Sequence, residues 1–176
     1  TESRGNTMIN KASCLCGSVT WGINAEPFQA FNCHCKLCRK AHGSPFGTYW
    51  FMYPDQFRWV GSTDAIAHYR SSPLLVRSFC STCGSVVPYP NDTKEIVVTL
   101  GGCHDQGKKS DCQVFVAHNA PWHDITGPLP CHDDYPVETG YARVEEEPLA
   151  PGPEGMVRGS CMCGACEFHL TKPIDN

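Results

Sequence analysis

The sequence predicts a mainly β fold made of small antiparallel sheets, and two observations carry that expectation. Short runs rich in β-branched and aromatic residues recur between Gly, Pro and Asn/Asp punctuation, and helical periodicity is scarce. The candidate strands are residues 18–23, 46–53, 57–60, 65–70, 74–79, 85–89, 96–100 and 113–117. Pro54-Asp55 and Gly61-Ser62 are turn signals between strands of about four to six residues, which suits a small antiparallel assembly. Only residues 36–42, directly after a cysteine group, read as a helical turn.

The 13 cysteines are the anomaly of the composition. A count of that size implies either a disulfide scaffold or metal sites, and spacing decides between them. Cys14-x-Cys16-Gly17, Cys33-His34-Cys35-x-x-Cys38 and Cys80-x-x-Cys83-Gly84 each place thiols two or three positions apart, where they converge on one ion. With an odd total and no secretory signal, the pattern predicts reduced cysteines, zinc and a cytoplasmic setting. Cys80-x-x-Cys83-Gly84 has the form of a zinc-knuckle half-site, and Cys14 and Cys16 are the natural second half, because Cys33, Cys35 and Cys38 form a group of their own. Four thiolates close a tetrahedron, whereas three leave one position for water or an incoming thiol. An all-structural alternative takes His34 or His42 as the missing fourth ligand of the second group. Cys112 and Cys131 have no close cysteine neighbours and read as ordinary thiols.

Size and charge bound the rest. The 176 residues allow one compact domain and an appendage, and 14 Lys+Arg against 18 Asp+Glu leaves no basic footprint for nucleic acid. No run approaches the ~20 apolar residues of a membrane span. Residues 1–11 read as a polar tail, 12–144 as the main domain, and 145–158, acidic and rich in Pro and Gly, as a linker. Residues 159–176 then open a second, incomplete unit: Ser160-Cys161-Met162-Cys163-Gly164 echoes Ser13-Cys14-Leu15-Cys16-Gly17, each leading into a short apolar run. The fragment's partner is either further chain, forming a second full domain, or the first domain or a neighbouring copy against which its strand pairs, so a homodimer is one expectation.

The order C-x-C-G, C-H-C-x-x-C and C-x-x-C-G, followed by Ala120-Pro121-Trp122 and Leu129-Pro130, resembles the glutathione-dependent formaldehyde-activating enzymes, also called the CENP-V/GFA domain. Residues 35–44, Tyr69-Arg70-Ser71-Ser72 and Arg77-Ser78-Phe79-Cys80 support the likeness, which spans about Ala12 to Pro136. The resemblance implies an Mss4-like fold with structural zinc on Cys14, Cys16, Cys80 and Cys83 and a second zinc on Cys33, Cys35 and Cys38. It also implies a carbon–sulfur lyase of the S-hydroxymethylglutathione synthase type, with glutathione or a glutathione conjugate as its partner. Two features depart from the family pattern: Cys103 in Gly101-Gly102-Cys103-His104, and the second C-x-C-G.

In this scheme a thiol at the open position of the second zinc is deprotonated and attacks an aldehyde. His42 and His104 are the candidate donors to the resulting alkoxide. Lys36, Arg39 and Lys40 are placed to offset the charge of three thiolates, and Trp122 is placed at the pocket rim. The competing expectation is a zinc-stabilised protein-binding module with no chemistry.

Overall fold

The computed structural model describes residues 10–91, 93–141, 153 and 156–171. Its strands are β1 (Asn10–Ser13), β2 (Thr20–Ile23), β3 (Gln29–Cys33), β4 (Gly47–Met52), β5 (Phe57–Trp59), β6 (Ile66–Ser72), β7 (Leu75–Cys80), β8 (Val86–Val87), β9 (Tyr89–Pro90), β10 (Val97–Leu100), β11 (Cys112–Val114), β12 (Cys131–His132), β13 (Val157–Ser160) and β14 (Glu167–Leu170). The fold is mainly β, as the punctuated strand pattern predicts. One α-helix among the described residues, α1 (Lys36–His42), covers the predicted helical turn.

Three sheets make up the body. β12-β11-β3-β4-β10-β9 form a six-stranded sheet, and β1-β2-β5 and β6-β7-β8 form two three-stranded sheets. Most neighbours are antiparallel, but β11 runs parallel to both β3 and β12. A parallel pair needs a long connection, and the chain between β3 and β11 supplies one. Alternation within a strand carries no information about direction, so this pairing lies beyond a reading of residue pattern.

Packing divides the interior into clusters that meet at the cysteines. Phe31, Cys33, Cys38, Tyr49, Leu100, Val114 and Phe115 belong to one; Cys14, Val19, Trp21, Cys80 and Val87 form another. Asn10 and Lys11, within the stretch read as tail, lie in β1, which pairs with β2 from Asn10↔Ile23 to Ser13↔Thr20; residues 1–9 lie outside the described residues. Of the expected linker, residues 145–152, 154 and 155 lie outside the described residues, while Val157 and Arg158 already belong to β13.

Candidate metal centres and the adjoining cavity

The first cysteine cluster is built by two matching turns. After β1, the Cys14 N–H donates to Val19 O at 2.9 Å and the Gly17 N–H to Cys14 O at 3.0 Å. After β7, Cys80 N–H donates to Ser85 O at 2.9 Å and Gly84 N–H to Cys80 O at 2.8 Å. Gly17 and Gly84 take φ of 78° and 76°, left-handed values that any side chain would strain, which is why a glycine follows each pair. The sulfurs of Cys14, Cys16, Cys80 and Cys83 all lie within 4.8 Å of one another. Cys14 and Cys16 are 3.6 Å apart and Cys16 and Cys80 3.7 Å. A tetrahedral ion with metal–sulfur bonds of about 2.3 Å needs edges of about 3.8 Å, so this donor set fits one.

Its thiols differ in environment. Burial pushes the Cys14 thiol up, whereas the Ser18 hydroxyl beside Cys16 pulls that thiol down. The Ser85 hydroxyl, 3.3 Å from Cys83 Sγ, helps bring Cys83 down to about 5. The outer pair is therefore readily ionised while the inner pair anchors in the apolar cluster.

The second cluster sits where β3 runs into α1. Cys33 ends β3, Cys35 caps the helix by accepting the Cys38 N–H at 3.4 Å, and Cys38 lies in its first turn. Gly43, with φ of 59°, ends the helix. The three sulfurs lie within 4.8 Å of one another, so the donor set again suits a soft ion, with three ligands instead of four. Cys33 and Cys35 bonded to Cys38, and then the Arg77 charge, hold the Cys38 thiol well below its ordinary value, against its burial. Bonds from Cys35 and Cys38, with burial, push Cys33 well above its own.

Neither histidine of the all-structural alternative joins the three sulfurs. His34 is fully buried with its ring turned away, Nδ1 3.2 Å from Asn119 Oδ1 and Nε2 2.8 Å from Gln113 Oε1. His42 points its Nε2 at Tyr49 Oη, 2.9 Å away, and burial lowers its pKa. His104 is placed elsewhere: its ring stacks on Trp50, Trp21 Nε1 donates to its Nε2 at 3.2 Å, and burial brings it down to about 4. The structure therefore brings Cys33, Cys35 and Cys38 together, sets His42 one side chain away, and leaves His104 in the core.

The residue the sequence left unassigned is Arg77. Although flagged only as a flank of Cys80, it is 6% exposed and donates from Nη1 to Tyr49 Oη at 3.1 Å, from Nη2 to Cys38 Sγ at 3.5 Å and from Nε to Ser71 Oγ at 3.2 Å. The one signal was a cation inside a predicted strand of otherwise strand-forming residues, a position a surface Arg also fills. Charge compensation at Cys38 thus comes from β7. Arg39 Nε instead donates to His34 O at 3.2 Å, and Lys40 reaches the β13–β14 hairpin.

The three cysteines, Tyr49 and Arg77 open onto a cavity of about 520 Å³. Its other walls are mostly apolar and include Leu74, Leu75, Ile96, Val98, Phe115 and Tyr135. Phe115 has φ of 58°, a left-handed backbone that costs an aromatic residue about 1–2 kcal/mol and is held by edge-to-face packing on Tyr135 at 4.8 Å. Trp122 is 66% exposed and does not line this cavity. None of the 13 cysteines is in a disulfide. Among the described residues no helix is long and apolar enough to cross a membrane.

No curated protein matches the chain. A crystal structure of a Rhodobacter sphaeroides protein aligns with a TM-score of 0.44 and 20% identity, over 56% of this chain and 90% of that one. The family model described as glutathione-dependent formaldehyde-activating enzyme matches residues 9–118, which include both cysteine clusters, Tyr49 and Arg77, and the chain belongs to that family.

Proposed function

We propose that the chain is a zinc-dependent carbon–sulfur enzyme of the S-hydroxymethylglutathione synthase-like type. It joins glutathione to a small aldehyde or acts on a glutathione conjugate. The observation that carries this reading is the juxtaposition of a three-thiol cluster, without a histidine to close it, and a cavity large enough for a substrate. Family membership supports the reaction class. Cys14, Cys16, Cys80 and Cys83 hold a structural zinc, and Cys33, Cys35 and Cys38 hold the second.

A zinc ion bound there would supply Lewis acidity and lower the pKa of a thiol beside it. The remaining steps fall to the chain. Arg77 offsets the negative charge of the thiolates, which are otherwise buried at high cost. Burial holds the Tyr49 phenol well above its ordinary pKa, so it stays protonated and can act as a relay. Its Oη accepts from Arg77 and can donate to His42 Nε2, which is neutral at pH 7. The thiol proton passes to Tyr49 Oη while the phenol proton moves to His42. The sulfur then attacks the carbonyl carbon, the carbonyl π electrons move to oxygen, and the same relay returns one proton to give the hydroxymethyl thioether. Run backwards, with the hydroxyl proton leaving through the relay and the carbonyl re-forming, these steps release thiol and aldehyde from a conjugate of the hemithioacetal type. The cavity of about 520 Å³ has room for an aldehyde together with the thiol end of glutathione, and its mostly apolar walls also suit a conjugate carrying a non-polar group. A reducing, cytoplasmic compartment suits both the thiols and the cosubstrate.

The test is thiol-dependent aldehyde consumption by zinc-loaded protein, with Cys35→Ser and Tyr49→Phe. Turnover that is lost in Cys35→Ser and falls 10²–10⁴-fold in Tyr49→Phe, the range of general acid–base catalysis, supports the scheme. Zinc that is inert to thiols, with no turnover of aldehydes or conjugates, leaves the binding-module alternative.

A further inference from the structure

Residues 157–170 repeat residues 10–23 in geometry as well as in sequence. β13 and β14 pair from Val157↔Leu170 to Ser160↔Glu167, the same register by which β1 and β2 pair from Asn10↔Ile23 to Ser13↔Thr20. Cys161 N–H donates to Cys166 O at 2.9 Å and Gly164 N–H to Cys161 O at 3.2 Å, matching the bonds of Cys14 and Gly17. The Cys166 N–H also reaches Cys161 Sγ at 3.2 Å, as Val19 N–H reaches Cys14 Sγ at 3.4 Å. Gly164 has φ of 79° against 78° for Gly17. Cys161 and Cys163 hold their sulfurs 3.5 Å apart, against 3.6 Å for Cys14 and Cys16.

The two hairpins differ in what covers them. Trp21 and Ile23 are 0% and 3% exposed, whereas Phe168 and Leu170, at the matching register positions, are 58% and 42% exposed. Cys14 is buried and its counterpart Cys161 half-buried, while Cys16 and Cys163 are both exposed. In the first copy Ile23 is covered by Ala30, Trp50 and Met52, while Cys14, Val19 and Trp21 are covered with Cys80 and Val87, so the Cys80-x-x-Cys83-Gly84 turn between β7 and β8 supplies both the two remaining cysteines and part of the apolar cover. No cysteine pair fills that role for the second copy among the described residues. Lys40 Nζ donates to Ser160 Oγ at 2.7 Å and to Cys161 O at 3.0 Å, neither of which involves a sulfur.

We propose that Cys161 and Cys163 are a preformed two-thiolate half of a third zinc site, which takes its other two ligands from a C-x-x-C-G turn of a second unit of this fold. Cys166 is not a ligand: it stands where Val19 stands in the first hairpin, a core position, and faces the incoming unit with Phe168 and Leu170. The internal precedent selects the partner. The same half-site, closed once in this chain, is closed by that turn and not by another C-x-C-G.

The test uses the full 176-residue chain, zinc, and the pentapeptide Cys-Ser-Thr-Cys-Gly, which is the chain's own residues 80–84. Wild type and a Cys161→Ser/Cys163→Ser variant are loaded with zinc and excess peptide under anaerobic conditions, then separated by gel filtration and assayed for zinc and peptide. The expected result is one more zinc ion and one more peptide per chain in the wild type than in the variant. Circular dichroism should be unchanged, because the replaced side chains are outside the main body. Equal zinc in the two proteins overturns the site. An excess of half an ion per chain with a doubled mass by light scattering overturns the choice of partner, since two copies of the C-x-C-G hairpin would then have closed the site on each other.

Discussion

Replacing Cys83 with Ser tests the proposed structural metal, because Cys83 would give a ligand without belonging to the buried core. Cys14 and Cys80 are 1% and 0% exposed and pack with Val19, Trp21 and Val87, so a hydroxyl at either place would also perturb packing. Cys83 is half-buried and Cys16 is exposed. The two cysteine pairs come from different three-stranded sheets, so a metal held by all four would tie β1-β2-β5 to β6-β7-β8 through this corner. Structural zinc contributes about 10–16 kcal/mol to small zinc folds, so one ligand in four corresponds to about 2.5–4 kcal/mol. Set against a domain stability of about 5–15 kcal/mol, that is a large fraction. At about 3–4 °C per kcal/mol, Cys83→Ser should melt about 10–15 °C below wild type. Cys16→Ser should match it, and Cys131→Ser, exposed and outside both clusters, should melt with wild type. Thermal melts by circular dichroism, paired with zinc analysis, read the outcome. A Cys83→Ser protein with unchanged melting temperature and full zinc content would refute the four-ligand site.

Cys35→Ser should remove about one zinc ion and all thiol-dependent turnover while moving the melting temperature by only a few degrees, as zinc analysis, assay and melt together would show; equal collapse of fold and activity would make the second site structural. Arg77→Met should leave the Tyr49 hydroxyl and Cys38 sulfur buried without their donor, lowering stability by about 1–3 kcal/mol and weakening the second zinc more than the first, measured by stepwise chelation. His104 binds its proton near pH 4 when folded and near 6.5 when unfolded, so the unfolded state takes up more protons between those values. Stability should fall as pH falls from 7 toward 4, and His104→Gln should flatten that slope in melts across the range. Deleting residues from Glu147 onward should leave the zinc content and melting temperature of the main domain unchanged, since the Lys40 bonds to Ser160 Oγ and Cys161 O involve neither cysteine cluster of that domain; a marked loss of either would make the hairpin part of the first fold.

Covalent spacing explains what could be read without coordinates. A C-x-C-G or C-x-x-C-G turn fixes its two sulfurs by local backbone geometry, and α1 follows from the thiol that caps it, so the clusters and the helix were legible from residues 14–17, 33–42 and 80–84. β3 was not: Gln29-Ala-Phe-Asn-Cys33 has one strong strand former, and its place beside β4 and β11 is set by tertiary pairing with residues up to 81 positions away. The same distance hid the chemistry around the second cluster. Lys36, Arg39 and Lys40 follow the cysteines in sequence, but a helix turns successive side chains around its axis, and Arg39 and Lys40 end on His34 O and on the hairpin. Arg77 lies 39 residues from Cys38 and reaches it because β7 carries it into the core with Tyr49 alongside. A buried cation survives there only if enough acceptors surround it, and the three acceptors come from β4, β6 and α1. Arg77 is therefore a product of the assembled fold. Its removal should be felt at the open cluster before it is felt at the closed one.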